Sequence, residues 1–481
     1  MNSPRSLNKS RLVGGTTWIT LAEALMLPTG FLTVVFLTRR LGLEGYGLFA
    51  LAGTLVVWIE WAVNSIFSQT TIKFISEAAE WQAIASKILR TQLTFSLLAT
   101  LALALLAPAI ASLLNEPALT YLLWLSALEI PLFNLTLAHQ NMMVGLGKFE
   151  HRAIVSAVRW VSRFLLIICL VKLGFSIPGA ILGSVAAMLL SLLICRCYIR
   201  PSLWYPLEVS SGQLAGYAIP LFFSALAMRL YEKVDLFALK ALGGTAEEAG
   251  LYASAQNLAL LGGVVSPALA PVLIAAIGRA LNQGNLEQIK ALSAAAMRVV
   301  LLHLPFAGMV AGASSEIVGG LFGAAFVPAA PLLAVLIFSA IATVSMGVTG
   351  SILVASEKPR WTFFLTAPMP AIALVGHWLL IPRWGAIGAS SATLLAATLG
   401  ALAGIIAVYV NWRVLPPFLT LVRSCLVCGV VTLLAMVWKT TGVLLLLKLT
   451  VVSLAIPLLL WLFGEFNAAD RALLRSFFKQ K

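Results

Sequence analysis

From about residue 12 to residue 463 the chain is a succession of apolar runs, separated by short polar or charged connections. Each run is about as long as the roughly 20 residues a helix needs to cross a hydrocarbon core of about 30 Å. This constrains the fold more than any motif does. Inside a bilayer every backbone N–H and C=O must be satisfied within the protein, which leaves only helices and closed barrels. A barrel would show alternating segments of about ten residues, and none is visible. With 60% hydrophobic residues, 10% charged residues and a mean hydropathy of +0.99 over 481 residues, a water-soluble chain is excluded. The predicted spans are 12–37, 46–71, 91–114, 118–143, 152–173, 176–199, 214–241, 249–277, 291–313, 329–355, 362–381, 385–411, 417–438 and 442–463. The predicted fold is therefore all-α and polytopic, with fourteen transmembrane helices.

Basic residues orient the spans. With the N-terminus inside, 21 of the 32 lysines and arginines fall on inward connections and tails, among them Lys73, Lys148, Arg152 and Arg471. Seven lie outward (Arg39, Arg40, Lys172, Lys240, Arg383, Lys439 and Lys448) and four within spans (Arg159, Arg163, Arg229 and Lys233). This threefold excess predicts that both termini are cytoplasmic. The short basic stretch of Arg5, Lys9 and Arg11 precedes the first run without a persuasive cleavage site, so that run reads as an uncleaved helix. The net charge of +14 follows from this asymmetry and from attraction to anionic lipid, and no basic soluble domain is present to bind nucleic acid. The longest hydrophilic stretches are 72–90, 200–213 and 278–290. Of these, "KFISEAAEWQAIASKILR" has helical apolar spacing and is expected to lie along the cytoplasmic surface. Cys169, Cys195, Cys197, Cys425 and Cys428 sit in or beside apolar runs and read as small buried hydrophobes, with no metal site. No G-x-x-x-x-G-K-[ST] loop is present, which argues against ATP hydrolysis.

The sequence echoes itself about 200 residues on. "LGLEGYGLFA" (41–50) matches "LGGTAEEAGLYA" (242–253), "GLGKFEHRA" (145–153) pairs with "VASEKPRWT" (354–362), and "PGAILGSVAA" (178–187) pairs with "WGAIGASSAT" (384–393). The near-common offset predicts two parallel six-helix halves, 1–200 and 201–413, around a central cavity, with a two-helix segment and cytoplasmic tail at 414–481. Parallel repeats facing a cavity are a transport architecture.

A first helix followed by "LTRRLGLEGYGLFALA", a second helix, a half repeat and fourteen spans resembles the polysaccharide transporter (oligosaccharide flippase) branch of the multidrug/oligosaccharidyl-lipid/polysaccharide exporter superfamily, which includes O-antigen flippases. The resemblance covers nearly the whole chain. It implies a bacterial inner-membrane flippase, not an enzyme, that turns undecaprenyl-pyrophosphate-linked oligosaccharide from the cytoplasmic to the periplasmic face. It also implies a cavity lined mainly by spans 1, 2, 7 and 8. The lipid II flippase branch is the nearest rival, with a multidrug/cation antiporter next. A membrane glycosyltransferase or ligase fits less well, because the chain lacks an extramembrane catalytic region.

Candidate site residues follow from the cost of placing charge in lipid, about 2.5 to 3.5 kcal/mol for arginine at a helix centre. Arg229 with Lys233, and Arg159 with Arg163 beside Trp160, are i, i+4 pairs suited to phosphate oxygens, and the aromatic face suits a sugar. Lys73 stands where an entering phosphate would pass, and also where an inward anchor belongs. Arg40 and Arg39 either snorkel to outer phosphates or guard the outer mouth, with Tyr46 and Phe49 expected near the interface. Glu23, Glu60 and Glu129 either pair with the arginines or, for Glu23 and Glu60, carry H⁺ or Na⁺. Asp235 and Glu232 are expected to balance Lys240 and Lys233, and Asp235 is a further coupling candidate. His139, His303 and His377 read as packed or interfacial. Pro28, Pro131, Pro220, Pro267, Pro271 and Pro305 mark expected bends. No metal, no other cofactor and no catalytic residue is expected. Membrane lipids, and possible contacts with a polysaccharide polymerase and glycosyltransferases, complete the expected partners.

Overall fold

The computed structural model describes residues 18–77, 80–203, 205, 234–263, 265–356 and 358–466. Arg229, Lys233, Glu232 and Pro220 lie outside the described residues, as do most of the predicted span 214–241 and both terminal basic segments. The described secondary structure is helical: α1 (18–24), α2 (Met26–Glu77), α3 (Trp81–Leu113), α4 (Ala118–Ala127), α5 (Glu129–Gly145), α6 (Phe149–Leu170), α7 (Ser176–Tyr198), α8 (234–241), α9 (Ala246–Ala259), α10 (Val265–Asn282), α11 (Leu286–Leu301), α12 (Leu304–Gly312), α13 (Ser314–Phe322), α14 (Ala330–Ala355), α15 (Pro359–Thr366), α16 (Met369–Trp412), α17 (Phe418–Val437) and α18 (Val443–Leu462). Among the described residues nine helical stretches are long and apolar enough to cross a membrane. The expected fourteen is not fixed by them. Three of the nine run 59, 50 and 49 residues, far longer than a bilayer needs. Each is broken at a glycine with positive φ: Gly42 (+72°), Gly174 (+96°) and Gly385 (+53°).

Prolines break helices where their missing N–H frees the carbonyl four residues back. Pro28, Pro131 and Pro305 follow the interruptions at Leu25, Leu128 and 302–303 by two or three residues. The carbonyl of Ala127, freed by Pro131, accepts a hydrogen bond from Thr100 Oγ1 at 3.3 Å.

The chain divides into two compact units, 1–233 with 245–250, and 234–244 with 251–481. In the first, α2, α3, α5, α6 and α7 close around Ile75, Ile88, Leu89, Met142, Val155 and Cys195. The segment expected to lie on the cytoplasmic surface is instead the end of α2 and the start of α3. Ile75, Ala85, Ile88 and Leu89 bury their apolar face in this core, so packing takes the face that a headgroup layer would otherwise cover. The returning helix α7 packs tightly on α6, where a Cβ on Gly183 would stand 2.7 Å from the Ile167 nitrogen.

In the second unit, α10, α11, α14 and α16 surround Ile277, Met297, Val348 and Ile352, and α17 and α18 join through Val427, Val431, Val452 and Ile456. Lys448 belongs to this interior. Its ammonium is fully buried and donates to Glu316 Oε1 at 2.8 Å and to the Ala435 carbonyl at 2.6 Å. Lys240, in the same unit, is also buried. Beyond α18, Glu465 accepts from Arg298 Nε (2.7 Å), Thr420 Oγ1 (2.6 Å) and Arg423 Nη1 (3.2 Å). Burial pushes its carboxyl up, but these three donors outweigh that and hold it below the ordinary carboxylate range.

Only Cys195 among the cysteines is buried. Cys428 is half-buried, and Cys169, Cys197 and Cys425 are exposed on the outer faces of their helices. Tyr46 is buried at 2% exposure, 6.4 Å from the Phe49 ring.

The sequence echo has a structural counterpart. Leu-Gly in each copy ends a helix with a left-handed glycine, Gly42 at φ +72° and Gly243 at φ +106°, a conformation that costs other residues energy. Gly47 and Gly250, also matched positions, meet within the first unit: a Cβ on Gly47 would strike the Ala246 carbonyl, and one on Gly250 the Leu43 carbonyl.

Candidate functional site

The site is built on α6. Arg152, Ser156, Arg159 and Arg163 recur at i, i+4, i+7 and i+11, so they share one face over about 16 Å of helix. The opposite face, with Glu150, Ala153, Ile154 and Ala157, lines an apolar groove of about 570 Å³ beside Trp18 and Leu21 of α1. A two-faced helix of this kind turns its charge into the bundle and its apolar side outward.

Glu23 comes to the charged face from α1. Its Oε1 accepts from Ser156 Oγ at 2.8 Å, and its Oε2 accepts from Trp160 Nε1 at 3.1 Å and Arg159 Nη2 at 3.4 Å. Arg159 is nearly sealed, its side chain 7% exposed, whereas that of Glu23 is 35% exposed. The guanidinium also lies 4.4 Å from the centre of the Trp160 ring. Arg163 donates through Nε to Ser184 Oγ of α7 at 3.0 Å. The Nε atoms of Arg152 and Arg159 are buried without a hydrogen-bond partner. Glu60 of α2 and Glu129 of α5 are buried and lie within electrostatic reach of each other, of Arg159 and of Arg163. Three guanidinium groups and three carboxylates thus occupy one polar core.

Of the expected site residues, Glu23, Glu60, Arg159 and Arg163 are brought together here, and the expected Glu–Arg pairing takes the form of Glu23 with Arg159. Lys73, at the exposed end of α2, stands 5.8 Å from the Phe74 ring. Arg39 and Arg40 are exposed just before Gly42. Asp235 belongs to the second unit and is buried. Its Oδ2 accepts from Tyr252 Oη at 2.8 Å and Gln256 Nε2 at 2.7 Å, and its Oδ1 from the Leu236 N–H. Tyr252 Oη also meets Thr393 Oγ1 at 3.1 Å, and His377, 1% exposed, lies within reach of the Asp235 charge. His139 is packed, and His303 bonds the Val299 carbonyl one turn back at 2.7 Å.

Sequence reasoning missed Arg152 as part of this face, although its spacing of seven from Arg159 is visible. It also missed Tyr252, the aromatic of the second repeat copy, whose hydroxyl the matching Phe49 lacks. Among the described residues no group of three or more His, Cys, Asp or Glu side chains could hold a metal.

Long apolar helices in two compact units, with charge buried inside each, define a multi-pass membrane protein. The chain belongs to the polysaccharide biosynthesis protein family, whose sequence pattern matches residues 12–280. Its fold is similar to that of the lipid II flippase MurJ in an inward closed conformation, with a TM-score of 0.74 at 13% identity over 96% of this chain and 100% of that one. It is also similar to an inward-facing multidrug resistance MATE family transporter of the MOP superfamily (TM-score 0.66, 16% identity, 81% of this chain and 96% of that one). A Vibrio cholerae MATE transporter, VcmN, gives 0.56 at 16% identity over 84% and 97%. These proteins are named as flippases and transporters, not enzymes. No curated protein sequence matches the chain.

Proposed function

We propose that this protein flips a lipid-linked oligosaccharide, carried on undecaprenyl pyrophosphate as a polysaccharide or O-antigen repeat unit, from the cytoplasmic to the periplasmic face of the bacterial inner membrane. Transport proceeds by alternating access and draws on an H⁺ or Na⁺ gradient. The observation that carries this reading is the arginine face of α6 beside Trp160, in a member of a polysaccharide biosynthesis family. Guanidinium forks match phosphate oxygens two at a time, and an aromatic face suits a sugar ring. The 3.4 Å contact between Arg159 and the half-exposed Glu23 is the place for exchange: an incoming phosphate takes Arg159 and Glu23 yields. Glu23, Glu60 and Asp235 are the groups proposed to carry the coupling ion, Arg229 and Lys233 remain proposed phosphate contacts, and Lys73 and Arg40 proposed contacts at the two mouths. A polymerase and glycosyltransferases are the proposed partners.

The similarity to a lipid II flippase over 96% of this chain supports a second reading with the same pyrophosphate chemistry and a different sugar. A drug-cation antiporter fits the arginine face poorly. The test is a strain depleted of its own flippase and complemented with this chain. Wild type should clear lipid-linked oligosaccharide from the inner leaflet, and the Arg159→Ala/Arg163→Ala variant should let it accumulate there at normal protein abundance. Rescue of a lipid II block alone would move the assignment to the second reading. Glu60→Gln and Asp235→Asn should each weaken the dependence on the ion gradient, and unchanged dependence in both would remove them as carriers.

A further inference from the structure

Where α2, α3 and α5 of the first unit pack against one another, the polar core that holds Glu60 continues into a group of buried amides. Glu60 and Asn64 stand one turn apart on α2, Gln92 comes from α3 and Asn134 from α5. They are 3%, 5%, 1% and 0% exposed. Trp61 and Phe133 have ring centroids 6.5 Å apart, and near the other end a Cβ on Gly145 would lie 2.8 Å from Ile75. These two contacts make α2 and α5 parallel, with Asn64 level with residues 134–136. Asn134 accepts from Gln92 at 3.1 Å through its backbone carbonyl, which fixes the level of α3 as well.

The amide orientations are forced. Gln92 Nε2 faces the Asn134 carbonyl, and Asn134 Nδ2 faces the Ile130 carbonyl at 2.9 Å. A carbonyl only accepts, so each nitrogen must point where it does and each amide oxygen must point away. Gln92 Oε1, Asn134 Oδ1, Asn64 Oδ1 and Glu60 Oε1 are all buried without a hydrogen-bond partner. Four unsatisfied oxygens on three adjoining helices are costly when bare. Three amide oxygens and one carboxylate form the donor set of a hard cation, and a single carboxylate suits one positive charge better than two.

We infer that Glu60, Asn64, Gln92 and Asn134 form a binding site for a dehydrated monovalent cation, Na⁺. Within the flippase reading, on which the coupling role of the site rests, the cation neutralises Glu60 and leaves Arg159 and Arg163 in excess for an anionic phosphate. Cation and phosphate then favour each other's binding reciprocally.

Purified full-length protein in detergent tests the site without any lipid substrate. At constant ionic strength, NaCl should raise the melting temperature above KCl or choline chloride along a saturable curve, and ²²Na⁺ should bind once per chain. Asn64→Leu and Gln92→Leu should weaken Na⁺ at least tenfold, while Asn64→Asp, which keeps an oxygen in place and adds charge, should tighten it. Overturning results are a wild-type curve identical in the three salts, or unchanged Na⁺ affinity in both leucine variants. Na⁺ binding with Na⁺-independent flipping would refute only the coupling role, and flipping without Na⁺ binding would refute only the site.

Discussion

Replacing Lys448 with Met would remove the one buried cation that ties α18 to its neighbours. The ammonium is fully enclosed, 2.8 Å from Glu316 Oε1 and 2.6 Å from the Ala435 carbonyl. Removing one partner of a buried pair costs about 3 to 5 kcal/mol, because the other charge stays behind unpaired. Glu316 keeps 16% of its side chain exposed, which puts its share near the lower end, about 3 kcal/mol. Ala435 is in the last turn of α17, whose carbonyls have no helical donor, and loss of its hydrogen bond adds about 1 kcal/mol. Lys448→Met should therefore cost about 4 kcal/mol in equilibrium unfolding in mixed micelles, followed by tryptophan fluorescence. Adding Glu316→Gln should recover about 2 to 3 kcal/mol, a coupling that the double-mutant cycle reads directly. A single-variant loss under 1 kcal/mol, or strictly additive losses, would refute the reasoning.

Glu465 predicts a pH dependence. Its folded carboxyl lies below the ordinary range, near 4.3 for a free glutamate, so its stabilisation is full above that value and fades as pH falls through the lower folded value. Wild type minus Glu465→Gln stability should therefore be constant at neutral pH and shrink in acid, and a difference that grew in acid would contradict the contact. Gly47→Val should cost about 1 to 3 kcal/mol by overpacking against Ala246 and Gly250. Gly53→Val, where a Cβ meets nothing within 4 Å, should cost much less in the same melt. Reporter fusions after Lys148 and Lys481 should score cytoplasmic and one after Ala246 periplasmic, whereas a periplasmic C-terminus would overturn the orientation.

Much of the fold was legible because a bilayer leaves the backbone few options: run length marked a polytopic all-helical chain, and Leu-Gly in both repeat copies marked real helix ends at Gly42 and Gly243. What escaped was decided by packing. The polar residues of 72–90 suggested a surface helix, yet Ile75, Ile88 and Leu89 entered a core. Lys448 is placed on the outward side by its position along the chain, and its burial against Glu316, 132 residues away in sequence, is decided by packing that the local sequence does not show. At the site, α6 was readable from its own spacing, since Arg159 and Arg163 announce one face. Its partners Glu23 and Ser184, and the amides Asn64, Gln92 and Asn134, come from other helices, and no pattern within one segment shows which helices will meet.

The central claim is that the arginine face of α6 handles the pyrophosphate, and the direct measurement is flipping per folded molecule in reconstituted vesicles loaded with undecaprenyl-pyrophosphate oligosaccharide. Arg159→Lys keeps the charge and loses the fork, so a partial defect is expected, and Arg159→Ala/Arg163→Ala should lower the rate at least tenfold with folded abundance measured in parallel. Adding Glu23→Gln should restore stability lost through the unpaired carboxylate but not the flipping rate. Normal flipping by well-folded Arg159→Ala/Arg163→Ala protein would contradict the account.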